Sequence, residues 1–91
     1  MRAATEFEFD PRMRTEGNEK QIFDPLRKKW VLLQPEEWVR QYYVAYMSIV
    51  LDYPLSRMRC EVQVKGAGRP KRADLIIYDR QGEPIMLCEF K

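Results

Sequence analysis

The sequence contains no histidine, which removes the usual zinc-ligating sets and the Ser-His-Asp triad in one step. Cysteine is limited to Cys60 and Cys88. Each sits in a strand-like apolar pattern without C-x-x-C spacing, so buried reduced thiols are expected, not a disulfide or zinc site. No apolar run approaches the roughly 20 residues of a membrane span, and Met1 to Asp10 has no apolar stretch of the secretory kind. A cytoplasmic protein without membrane contact is expected. Charge imbalance is also missing: 16 Lys and Arg against 14 Asp and Glu leave only +2, so local charge must carry any argument for nucleic acid. What is present, 45% apolar and 33% charged residues in a chain of 91, describes one globular domain near the lower limit for a self-sufficient core.

Residues 1–20 show no sustained period and read as an extended arm, with Glu6 to Phe9 available as a short strand. Ile22-Phe23 and Trp30 to Leu33 flank Asp24-Pro25, a turn-forming pair, and predict an N-terminal hairpin. Its Arg27, Lys28 and Lys29 read either as phosphate contacts or as a solvated loop tip. Gln34-Pro35-Glu36-Glu37 starts a helix, because Pro fits the first turn and acids there complement the helix dipole. Apolar and aromatic residues from Trp38 to Leu51 recur at helical spacing, predicting that Val39, Tyr42 and Tyr46 face the core, and Pro54 ends the run. Met58 to Lys65 alternates strictly, with Met58, Cys60, Val62 and Val64 on one face, the pattern of a half-buried strand. A loop carrying Arg69, Lys71 and Arg72 then leads straight into Asp74.

The closing stretch, Arg72 to Lys91, reads as two apolar runs around a Gly/Pro turn, an antiparallel hairpin. Asp74, Glu89 and Lys91 are charges in strands that otherwise want a core, and such charges are costly unless paired or metal-bound. If Tyr78 opposes Ile85, then Ile76 opposes Leu87 and Asp74 opposes Glu89, with Lys91 on the same face. Opposed carboxylates destabilise a sheet; a divalent cation between them, or a cross-strand ion pair with Lys91, would relieve the repulsion. A slip of one residue would destroy the arrangement.

The order Asp74, turn, Glu89-Phe90-Lys91 resembles the PD-(D/E)xK nuclease superfamily. The resemblance extends upstream through Ile22-Phe-Asp-Pro-Leu-Arg-Lys-Lys-Trp-Val-Leu-Leu-Gln-Pro-Glu-Glu-Trp-Val-Arg-Gln41, the strand-like segment 58–65 and Lys71 to Pro84. Together these look like the N-terminal nuclease domain of type I restriction enzyme R subunits, over roughly residues 20–91. The implied fold is α/β (α+β), a restriction-endonuclease-like core with an N-terminal β-hairpin, one long helix and a mainly antiparallel three-stranded sheet. Residues 1–20 would be the arm and residues 21–91 the nuclease-like domain.

The resemblance implies a DNA endonuclease that hydrolyses phosphodiester bonds with Mg²⁺, or Mn²⁺ in its place. Asp74 and Glu89 would hold the ion, with the Phe90 carbonyl as a third ligand and Glu36 or Glu37 facing it from the helix. Lys91 would orient or deprotonate the attacking water or stabilise the pentavalent phosphate. Arg40, Gln41, Arg69, Lys71 and Arg72 are expected on DNA. The alternative is a catalytically inactive DNA-binding or protein-interaction module that keeps the nuclease fold. Because the family's domain continues past the Glu-x-Lys strand, a fragment truncated at its C-terminus is expected, self-associating through an uncovered sheet edge.

Overall fold

A computed structural model describes residues 7–64 and 71–90, apart from the side chains of Val64 and Lys71. Six strands and one α-helix form two antiparallel sheets. The first holds β1 (Met13–Glu16), β2 (Glu19–Asp24) and β3 (Lys29–Leu32); the second holds β4 (Met58–Val64), β5 (Lys71–Tyr78) and β6 (Pro84–Cys88). Helix α1 (Pro35–Ile49) lies between them in sequence, and a 3₁₀ turn at Leu55–Arg57 precedes β4. Among the described residues no helix is long and apolar enough to cross a membrane.

The expected N-terminal hairpin is β2 and β3, with Asp24 Oδ1 accepting the Leu26 N–H at 2.9 Å inside the turn. The sequence reading missed β1. Gly17 opens its two-residue connection to β2 with φ +61°, a conformation that costs glycine little. Phe7 to Pro11 form no strand. Instead Phe7 and Phe9 meet the rings of Trp38, Tyr42 and Tyr46 edge-on.

That contact corrects the expected helix orientation. The buried positions of α1 are Glu37, Arg40, Gln41, Val44 and Met47, while Trp38, at 41% exposure, and Tyr42 face outward. Three of the five buried positions are polar, so hydropathy alone selected the wrong stripe. Val44 and Met47 pack with Met58, Leu75 and Ile77, and Met86, Cys88 and Phe90 close around them. Leu75→Ala should therefore cost about 3 kcal/mol, lowering Tm by roughly 15 °C in thermal unfolding by circular dichroism.

In the closing hairpin Ile76 does oppose Leu87, and Leu75 opposes Cys88. A register irregularity after Ile77 puts Tyr78 opposite Pro84 instead of Ile85. The face carrying Ile85 and Leu87 is half open, at 49% and 52% exposure.

Candidate functional site

The chain brings five carboxylates and two guanidiniums together where β2, α1, β4 and β5 meet. Asp24 ends β2 and is fully buried. Glu36 and Glu37 come from the first turn of α1, and Glu61 and Asp74 from β4 and β5. Cys60 pairs with Leu75 and Val62 with Ala73, so Glu61 and Asp74 occupy the rung between those pairs. Glu61 has φ +56°, left-handed backbone that a non-glycine residue holds only when its surroundings impose it.

Arg27, from the β2–β3 loop, binds Asp24 and Glu37 and lies 3.6 Å from Glu61. Arg40, only 3% exposed, reaches four acids: Glu37 at 2.8 Å, Glu36 at 3.2 Å, Glu61 at 3.3 Å and Asp74 at 3.9 Å. Arg72 lines the adjoining cleft as a third cation, so among the described residues five carboxylates stand against three guanidiniums. That cleft, about 250 Å³, opens between the end of β3, the start of α1 and β4, with Glu36, Glu37 and Glu61 on its walls. A larger cavity of about 570 Å³ lies beside α1 between Phe9, Phe23, Val44 and Ile49. Its walls are mainly apolar, so the smaller, charged cleft is the candidate site.

Burial alone would push the Asp24 carboxyl up, but Arg27 and the Leu26 N–H hold it below the ordinary value of 3.8. Gln41 leans its amide toward Asp24, and its Nε2, like Arg40 Nε, is buried and has no hydrogen-bond partner among the described residues. Because Asp24 is depressed in the fold, its contribution to stability is complete above pH 3.8 and is lost as pH falls through the folded value. Asp24→Asn should be destabilised by about 3 kcal/mol at neutral pH. Its deficit relative to the parent should shrink on acidification, as followed by urea unfolding at stepped pH. Burial raises the pKa of both Cys60 and Cys88, and both are free thiols.

The expected site residues do not share one fate. Asp74, Glu36 and Glu37 are brought together around Arg40, and Arg72 lines the cleft with Glu36, Glu37 and Arg40, while Asp74 stands behind it. Glu89 lies past the end of β6 and is exposed, while the next residue, Phe90, donates its N–H to Asp74 Oδ2 at 2.8 Å. The register thus carries the Glu89-Phe90 segment to Asp74 without a direct Asp74–Glu89 rung. Arg40 and Gln41 differ from expectation in being buried, at 3% and 4% exposure: Arg40 is engaged by four acids and reaches solvent only at the wall of the cleft. Arg69 and Lys91, and the side chain of Lys71, lie outside the described residues.

Sequence reasoning missed Asp24 and Glu61 as site residues and the bridging role of Arg27. The Asp24-Pro25 turn carried the first, disguised as a loop signal. For Glu61 the regular alternation of β4 pointed away from the site.

The assembled donors are all oxygen, and they are under-neutralised. Among the described residues no three acids converge closely enough to hold an ion alone.

Residues 35–91, more than half of the chain, match the family described as Type I restriction enzyme R protein N terminus (HSDR_N). No curated protein and no solved structure matches the chain.

Proposed function

Because this chain belongs to the type I restriction enzyme R protein N-terminal family, we propose that its acid cluster is the active site of a Mg²⁺-dependent DNA endonuclease of the PD-(D/E)xK kind, built on a restriction-endonuclease-like core. Family membership suggests a role in a restriction system. The observation that carries the finer reading is the convergence of five carboxylates on Arg27 and Arg40 beside an open, polar cleft.

Asp74 and Glu89 are the proposed metal ligands, with the Phe90 carbonyl and a helix acid, Glu36 or Glu37, beside them. A bound Mg²⁺ would polarise the scissile phosphate and neutralise charge on the leaving oxygen. The chain's own residues do the rest. Arg40 holds Glu37 and Asp74 in place, the Phe90 N–H fixes one Asp74 oxygen, and Arg72 takes a phosphate at the cleft. Lys91 orients or deprotonates the attacking water.

A second reading, a DNA-binding module without turnover, is favoured by the Arg40 guanidinium itself, which occupies the space among the acids that a metal would need. Incubating the protein with supercoiled plasmid in Mg²⁺ and in EDTA separates the two. Nicking or linearisation in Mg²⁺ alone supports the nuclease; retarded but intact plasmid in both supports the binding module.

A further inference from the structure

Outside the family-matched segment, one face of the first sheet carries a feature that the acid cluster does not use. The opposite row is apolar, Met13 opposite Ile22 opposite Val31, with Ile22 fully buried and Met13 half exposed. The face in question alternates arginine with aromatic rings, and its Arg12 and Phe23 also line the cavity beside α1. Arg12, just before β1, places its guanidinium 4.7 Å from the Phe23 ring centroid and 5.5 Å from that of Trp30. Arg14 lies 4.6 Å over Trp30, and its Nε donates to Gln21 at 2.7 Å. Phe23 and Trp30 meet edge-on at 5.4 Å. Among the described residues Arg12 has no carboxylate partner, and Arg14 has only Glu16 at 3.9 Å.

A guanidinium held over a ring keeps N–H groups available at its edge, those of Arg14 other than the Nε–H given to Gln21, and the ring contact fixes the side chain in advance, so little rotamer freedom is lost when an anion binds. The same strand that carries Trp30 ends at Leu32, which lines the cleft, and Lys28 and Lys29 are exposed at its other end. We infer that this face is a DNA-backbone contact surface continuous with the cleft, with Arg12 and Arg14 as pre-organised phosphate clamps. The inference rests on the nuclease reading for its partner; the charge and ring geometry supply the rest. Contacts of this type add affinity without reading sequence.

The test is fluorescence anisotropy of the full chain with a labelled duplex of about 30 base pairs in Ca²⁺, at salt from about 50 to 200 mM. The Arg12→Ala/Arg14→Ala variant is expected to bind at least about tenfold more weakly and to lose about 1–2 from the salt slope. Arg12→Lys/Arg14→Lys should keep most of that slope. A double-alanine variant within twofold of the parent, with unchanged slope, overturns the inference. If that variant does not fold, Trp30 emission in a Trp38→Phe background decides: a change on adding duplex supports the contact, and no change at saturation overturns it. Parent binding that depends on both arginines, without any Mg²⁺-dependent cleavage, would sink the nuclease reading and leave this surface standing.

Discussion

Arg40→Met is expected to unfold well below its parent when no divalent cation is present. The methionine keeps most of the packing volume of the side-chain stem, so the loss is electrostatic. It takes the guanidinium from Asp74 and leaves Glu37 with Arg27 alone, both acids under 10% exposed, beside Glu61 and Glu36. Removing one partner from a buried ion pair costs about 3–5 kcal/mol, and here one cation serves four acids. A cost of about 4 kcal/mol corresponds to a drop of roughly 20 °C in Tm for a domain of this size. Millimolar Mg²⁺ should recover part of it, and by more than it stabilises the parent, because ligand binding to the folded state adds stability by mass action. Scanning calorimetry in EDTA and in Mg²⁺ checks both parts. A shift below about 1 kcal/mol, typical of surface positions, would mean that the acids do not depend on Arg40.

The second large effect is expected in catalysis. Asp74→Asn preserves the size of the side chain and an oxygen to accept the Phe90 N–H, and it removes one of two opposed carboxylates from the Glu61 rung. Stability should change by less than about 1 kcal/mol. If Asp74 is the metal ligand proposed above, Mg²⁺-dependent plasmid cleavage should fall about a thousandfold, the equivalent of roughly 4 kcal/mol of transition-state stabilisation at the usual conversion. Loss of cleavage together with loss of fold would not meet this expectation, so the two readouts belong in one experiment.

The contrast between these variants follows from how the site is built. The helix start at Pro35 and the pairing of Ile76 with Leu87 were legible because both depend on local signals: proline chemistry at a helix N-terminus, and alternation carried through a short turn. The buried face of α1 was not, because Glu37, Arg40 and Gln41 occupy core positions only by virtue of partners far away in sequence, such as Arg27, Glu61 and Asp74. Long-range ion pairs leave no periodicity. Glu61 is the sharpest case: its φ of +56° occurs inside a strand whose sequence alternates without a break. Likewise β1 was hidden in residues that are exposed along their whole length, where no apolar face exists to announce a strand.

The account turns on whether the excess negative charge around Asp74 takes up a divalent cation. Calorimetric titration of Mn²⁺ into the parent protein and into Asp74→Asn measures that directly. The account predicts saturable uptake of about one ion per chain in the parent and its loss in the variant. No saturable uptake by the parent, or uptake unchanged by Asp74→Asn, would contradict it.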